Sequence, residues 1–305
     1  MRDKEKIGFI GVGLMGHGAA KNILEGGYPL TLLGHRNRQP VDDLVGRGAI
    51  EATSPAALVE ACDIIFLCVT GTPQVEDIVY RENGLLAGMS EGKVVLDMTT
   101  AIPDSSIRVA QSIAERGGHY LDLPMIRTPK EAELGKLALI AGGDKDILDS
   151  VRPVLDTFSD TLVHCGPLGA GHRIKLINNF LALGNAVLIA EAVTAAAKGG
   201  VGLDSLFDVV CSGGADSAMF RRLLSVLREN DTSLFQFTLR NARKDVSYYT
   251  KMADGLTSTA YVGNVIHQML MMVNNLGHGD AYVPKIIDVL AEMNGVDIAA
   301  AVRGQ

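Results

Sequence analysis

The sequence predicts an α/β fold: a Rossmann-like, doubly wound, mostly parallel sheet, followed by an all-α C-terminal domain joined through a long helix. Three observations predict it. Short apolar runs alternate with helical segments as far as residue 164. A Gly11-x-Gly13-x-x-Gly16 turn lies between the first run and the first helix, and beyond residue 164 nearly every segment has helical periodicity. A chain of 305 residues is expected to form one very large domain or two ordinary ones, and the change of pattern after residue 164 favours two. They are placed at residues 1–165 and 166–305, with no internal repeat and no low-complexity linker between them.

Residues 6–10 read as a first buried strand, residues 11–27 as the glycine turn and a helix stopped by Gly26-Gly27, and residues 30–33 as a second strand. Residues 54–61 read as a helix with Ser54 as N-cap and Pro55 at its first position. The run DIIFLCV at 63–69 is continuously apolar after its aspartate, as suits a parallel strand buried on both faces, and is the expected third strand. Residues 93–97 and 120–123 follow as the fourth and fifth, with a helix over 104–116 between them; 137–141 and 161–164 are further strand candidates. A long helix is expected over 171–198, stopped at Gly199-Gly200. Helices over 204–211, 219–229, 237–254, 259–276 and 283–294 complete the chain.

Composition excludes some classes. The formal net charge of −7 argues against a nucleic-acid partner, which needs a basic surface. No uninterrupted apolar run is expected to reach the ~20 residues of a bilayer span; the stretch 180–197 comes nearest, broken by Asn185, Glu191 and Thr194. The opening MRDKEKIGFIG shows no apolar leader and no cleavage site. Cys62, Cys68, Cys165 and Cys211 form no CxxC pair and read as small hydrophobes in a reducing compartment. The expectation is a cytoplasmic protein with a small-molecule substrate and neither a membrane nor a nucleic-acid partner.

The glycine turn follows a strand and opens a helix, the setting that dinucleotide binding requires. Gly11 permits the tight turn, Gly13 the approach of a pyrophosphate, and Gly16 close helix–strand packing, with Leu14 and Met15 between them at the helix start. An NAD site would place an acid at the end of the second strand. This chain has Gly34-His35-Arg36-Asn37-Arg38 there, with no acid before Asp42. Arginines suit a 2′-phosphate, so NADP(H) is expected in preference to NAD(H), which remains the alternative.

The segment GAGHRIKLINN at 169–179 carries Lys175 and, four residues on, Asn179; residues four apart on a helix share a face. An amine and an amide held so make an acid/base and an orienting group. A lysine serving as base needs its pKa brought from ~10.4 toward roughly 7–8 by desolvation or a neighbouring cation such as Arg127. Spacing alone also fits a lysine snorkelling at the surface.

Together GFIGVGLMG at 8–16, DMTT at 97–100, Asp122-x-Pro124, GAGHRIKLINN, and FTLRNARKD at 237–245 resemble, in order and spacing, the β-hydroxyacid dehydrogenases, among them 3-hydroxyisobutyrate dehydrogenase and tartronate semialdehyde reductase. The resemblance covers nearly the whole chain. It implies Lys175 as catalytic acid/base, Asn179 and the adjacent Asn178 at the substrate, and Thr99 near nicotinamide and substrate. It implies Lys244 and Asp245 beside the cofactor, and Val69-Thr70 lining it. It also implies a homodimer or homotetramer built on the last helices. The reaction implied is hydride transfer between nicotinamide and a small anionic semialdehyde, carboxylate or sulfonate.

One motif departs from the family pattern. Asp-x-Pro-Val-Ser-Gly-Gly becomes Asp122-Leu123-Pro124-Met125-Ile126-Arg127-Thr128, so the serine and both glycines that cradle a carboxylate are replaced. The Arg-Thr pair resembles the variant of sulfolactaldehyde reductases. Arg127 and Thr128 are therefore the expected anion site, against an ordinary loop arginine paired with Glu131 or Glu133. His17, just after the glycine loop, reads as a solvent-facing residue or a phosphate contact, and His172 as a helix-start residue or a support for Lys175. His267 and His278 are isolated, with no metal-ligand constellation. Met269, Met271 and Met272 read as packing. Two further readings share the fold: an imine reductase, against which Lys175 argues, and a non-catalytic dinucleotide-binding scaffold, against which Lys175, Asn179 and Lys244 together argue.

Overall fold

The computed structural model describes residues 4–302; the opening residues 1–3 and the last three lie outside the described residues. The chain divides into two compact units, Met1–Lys175 and Leu176–Gln305. In the first, β1 (Ile7–Ile10), β2 (Leu30–Leu33), β3 (Ile50–Ala52), β4 (Ile64–Leu67), β5 (Val94–Asp97) and β6 (His119–Asp122) form one sheet in the order β3-β2-β1-β4-β5-β6, every neighbouring pair parallel. The connections carry α1 (Gly16–Glu25), α2 (Gln39–Gly46), α3 (Pro55–Ala61), α4 (Thr72–Tyr80) and α5 (Pro103–Ala114).

Strand periodicity distributes the apolar residues between two cores. Ile7, Phe9, Ile64, Phe66, Val94 and Leu96 point to one face, where Phe9 stacks on Phe66 at 5.5 Å and Phe158 meets Phe66 edge-on at 5.7 Å. Ile10, Ile65, Leu67 and Val95 point to the other, against Leu58 and Val59 of α3 and Val75 and Val79 of α4. Ser54 caps α3 as expected, accepting the amide hydrogen of Ala57 at 3.1 Å.

Three expectations are corrected. The run at 63–69 holds the fourth strand in sequence, not the third, because Ile50–Ala52 pairs with β2 at the sheet edge. That edge strand is short and mostly exposed, so it left no apolar run to read. The candidates beyond β6 lie outside the main sheet: β7 (Met125–Ile126), β8 (Leu137–Ala141) and β9 (Ser159–His164) form a second, mixed sheet. Its connections hold α6 (Pro129–Glu133), α7 (Lys145–Ser150) and α8 (Arg152–Leu155). Finally, α9 (Ala170–Lys198) is long and apolar enough to cross a bilayer by length and composition, which the sequence was not expected to provide. Packing takes up only part of that apolar surface: Leu183, Ala186, Val187, Ala190 and Val193 are buried in the core of the second unit, while Leu181 and Leu188 are exposed.

The second unit is helical: the rest of α9, then α10 (Leu203–Cys211), α11 (Ala218–Glu229), α12 (Leu239–Gly255), α13 (Tyr261–Val273), α14 (Lys285–Met293) and α15 (Ile298–Val302). Its core joins Leu223 and Leu224 of α11, Val246 of α12, Leu270 of α13 and Ile286 and Leu290 of α14. The division between units falls inside α9 rather than near residue 165, because the first turns of α9 are hydrogen-bonded to the strand ends of the first unit.

Candidate active site

Because the main sheet is parallel, the loops after β1, β4, β5 and β6 leave it at one edge, with Ile10, Leu67, Asp97 and Asp122 side by side in register. Open parallel sheets bind ligands along that carboxyl edge. The glycine loop forms part of it. Gly11 has φ +104°, and a Cβ there would come within 2.1 Å of the Cys68 carbonyl oxygen. A Cβ on Gly16 would meet the Gly11 carbonyl oxygen at 2.1 Å. Gly13 differs: nothing lies within 4 Å of where its Cβ would be. The chain keeps glycine beside open space at the start of α1, where a bound pyrophosphate needs backbone rather than side chain. These residues fit a dinucleotide, with Leu14 exposed and Met15 half-buried beside them.

At the ends of β5 and β6 two buried carboxylates organise the loops. Asp97 accepts the Thr99 amide hydrogen at 2.9 Å through one oxygen and the Tyr120 hydroxyl at 2.6 Å through the other. Burial and the Asp97 charge push the Tyr120 phenol well above its ordinary pKa. Thr99 is buried, and its hydroxyl accepts the Val69 amide hydrogen at 3.2 Å, tying the loop after β5 to the loop after β4 that continues through Thr70. Thr99 thus braces the edge rather than presenting its hydroxyl outward.

Asp122 accepts the amide hydrogens of Gly169 and His172, both at 2.7 Å, so a carboxylate at the end of β6 satisfies two free N–H groups at the start of α9. His172 is fully buried; its Nε2 donates to the Thr99 carbonyl oxygen at 2.8 Å. Its Nδ1 lies 2.8 Å from the Ser106 hydroxyl. Lys175 follows three residues later on the same helical face, half-buried. The expected reaction lysine is therefore carried by a helix start bolted to the carboxyl edge at β5 and β6. His172 joins that frame as a support, one of the two roles its position allowed.

In the second unit, Asn179 is buried and donates through Nδ2 to Asp245 Oδ2 at 2.7 Å, while Asn178 donates to Asn179 Oδ1 at 3.2 Å. Lys244 Nζ lies 2.9 Å from the other Asp245 oxygen, as an ion pair rather than an aligned hydrogen bond, and 5.3 Å from the Tyr248 ring centre. The structure thus brings Asn178, Asn179, Lys244 and Asp245 into one cluster. The Asn179 amide is already engaged by protein at both ends.

Two expected groups are found otherwise employed. Arg127 is not a free cation: it forms an ion pair with Asp160 at 2.7 Å, donates to Thr161 Oγ1 at 3.1 Å and also bonds the Lys136 carbonyl. It stands where the family motif has glycine and keeps a positive φ of 84°. Thr128 caps α6 in a capping box with Glu131. The spacing pointed to Glu131 or Glu133 as the rival partner of Arg127; the actual partner comes from β9, which local sequence could not show. His35, Arg36, Asn37 and Arg38 are exposed after β2, but Arg38 is engaged by Glu51 at 2.6 and 2.8 Å and by Asp42 at 3.0 Å. His17 is only partly exposed and bridges Glu133 at 2.8 Å and Asp43 at 3.0 Å. Sequence reasoning missed Asp97, Ser106, Glu51 and Asp160 as partners; each makes a contact with a different strand, helix or loop, from 13 residues away for Glu51 to 66 for Ser106.

A parallel sheet of this order with an open glycine cradle at its carboxyl edge defines a dinucleotide-binding protein. Residues 6–166 match the family model described as the NAD binding domain of 6-phosphogluconate dehydrogenase, and residues 169–290 match that described as NAD-binding of NADP-dependent 3-hydroxyisobutyrate dehydrogenase. The chain belongs to the β-hydroxyacid dehydrogenase family and is an NAD(P)-binding dehydrogenase of that family. Glyoxylate/succinic semialdehyde reductase 1 of Arabidopsis thaliana is 26% identical, over 93% of this chain and 98% of its own. The 2-hydroxy-3-oxopropionate reductase of Escherichia coli is 34% identical over 64% of this chain and 66% of its own. The solved 3-hydroxyisobutyrate dehydrogenase of Mycobacterium tuberculosis shares the fold, with a TM-score of 0.85 over 94% of this chain and 99% of that one at 23% identity.

Proposed function

We propose that the protein is an NADP(H)-preferring reductase of small anionic semialdehydes, working reversibly on the matching β-hydroxyacids, with Lys175 as acid/base. The observation that carries this reading is the anchoring of α9. Asp122 and His172 fix its first turns to the ends of β6 and β5, and this places the Lys175-bearing helix at the edge that also holds the glycine cradle. The chemistry supplied by the dinucleotide when bound is hydride transfer to the carbonyl carbon. Lys175 gives its proton to the developing alkoxide during reduction and takes it back during oxidation. Asn179, fixed by Asp245, orients the reacting group, and Asn178 lies beside it.

The relatives support the substrate class: glyoxylate, succinic semialdehyde and 2-hydroxy-3-oxopropionate are all short carbonyl acids, anionic near neutral pH. Arg127 and Thr128 remain the proposed anion site, with the substrate anion exchanging for Asp160 at the guanidinium. A homodimer or homotetramer in the cytoplasm is part of the same reading. The test is a panel of short semialdehydes with NADPH and NADH, run on the wild type and Lys175→Ala. The variant should lose at least about a thousandfold in kcat while its dinucleotide affinity stays within about twofold. Substantial turnover by the variant would remove Lys175 from the chemistry.

A further inference from the structure

The carboxylate absent from the end of β2 is supplied from its neighbour. Glu51 lies on β3 opposite Leu32, and its side chain reaches back over the point where the chain leaves β2. A Cβ built on Gly34 would lie 2.1 Å from Glu51 Oε1. Both Glu51 oxygens accept from Arg38, at 2.6 Å from one terminal nitrogen and 2.8 Å from the other, and Asp42 takes a further bond at 3.0 Å. Arg38 is one of two arginines available to a 2′-phosphate at this strand end, and two carboxylates already occupy its end-on pair of donors and part of its side-on pair. With Arg36, the cluster sums to two positive and two negative formal charges, not the positive surface that the local sequence suggests.

We propose that Glu51 is a specificity-determining residue for the cofactor: it shares the guanidinium of Arg38 with the ribose 2′ substituent and holds the preference for the 2′-phosphate below what the two arginines would give. The proposal rests on the dinucleotide reading above. Its chemistry is simple. A 2′-phosphate brings close to two negative charges toward the Glu51 carboxylate, whereas a 2′-hydroxyl brings none and can donate to it. The exposed setting of the pair limits the effect, since the dielectric is close to that of water. Repulsion over roughly 6 Å in such a medium corresponds to about tenfold in affinity.

The experiment measures dissociation constants of NADPH and NADH, by nicotinamide fluorescence without substrate, for the wild type, Glu51→Gln and Glu51→Ala. Both variants should shift the NADPH:NADH affinity ratio about tenfold toward NADPH, mostly through tighter NADPH binding, and the shift should shrink as salt rises from 20 mM to 300 mM. Circular dichroism melts confirm that the variants fold. A ratio that moves less than twofold, or weaker NADPH binding in both variants, overturns the proposal; the latter would mean that Glu51 only braces Arg38. Failure of the wild type to bind either dinucleotide would overturn the parent reading as well, and is read separately from the ratio.

Discussion

Replacing Asp122 by alanine tests the frame on which α9 rests. The carboxylate is fully buried and accepts two amide hydrogens at 2.7 Å, from Gly169 and His172. Alanine leaves both N–H groups buried without an acceptor, each costing about 1–3 kcal/mol. With partial relief from relaxation, the loss is about 3–4 kcal/mol, a large fraction of the roughly 5–15 kcal/mol that holds a domain folded. At about 2–4 °C per kcal/mol for units of this size, the midpoint should fall by roughly 10 °C. The chain contains no tryptophan, so the assay is urea and thermal unfolding followed by far-UV circular dichroism. Asp122→Asn keeps one acceptor oxygen but turns an amino group toward an N–H donor, and should lie between the wild type and alanine. A loss below about 1 kcal/mol for Asp122→Ala would refute the claim that this carboxylate anchors the helix. Lys175 lies three residues beyond His172, so kcat should fall in the same order as stability.

The glycine loop separates folding from binding. Gly11→Ala places a Cβ against the Cys68 carbonyl at a φ of 104°, and should destabilise the fold measurably in a thermal melt. Gly13→Ala meets open space, so it should leave the melt within about 2 °C of the wild type while weakening NADPH at least about tenfold by titration. Tyr120 offers a pH test. Its phenol is raised by burial first and by Asp97 second, so the folded state favours the neutral form. The stability it contributes is present below the unfolded pKa near ~10 and is lost as pH rises through the higher folded value. Midpoints measured from pH 8 to 11 should fall less steeply for Tyr120→Phe than for the wild type. At pH 8 that variant should be less stable by about 1.5–3 kcal/mol for the lost bond to Asp97. Parallel curves would assign the alkaline loss to other groups.

Most of the fold was legible because its signals are local. The runs at β1, β4 and β5 are buried on both faces and so apolar almost throughout, Asp97 at the end of β5 being the exception, and the glycine turn sits between a strand and a helix in one stretch of chain. The edge strand β3 escaped because an exposed Glu51 breaks its apolar character, and β7 because two residues carry no period. The site divides in the same way. The glycine turn could be read from spacing on a single element, whereas the roles expected of Lys175 and Asn179 came from the family resemblance, since spacing alone fits a surface lysine as well. Asp97, Asp122, Ser106 and His172 act by contacts 23 to 73 residues apart in the chain, which spacing does not encode. The charge at the end of β2 was misjudged for that reason: the arginines are adjacent in sequence, while the acid that offsets them arrives from the next strand.

Arg127 holds a left-handed backbone that costs a residue with a side chain about 1–2 kcal/mol relative to glycine. A glycine would adopt that bend by itself; here the bend is conditional on three grips by the guanidinium, on Asp160, Thr161 and the Lys136 carbonyl. The hydroxyl of Thr161 and the charge of Arg127 keep the Asp160 carboxyl below its ordinary pKa, so the grip survives mild acid and weakens with salt. The shape of this segment thus becomes a property of the medium as well as of the sequence: the same chain would present a firmer loop in dilute buffer than in brine.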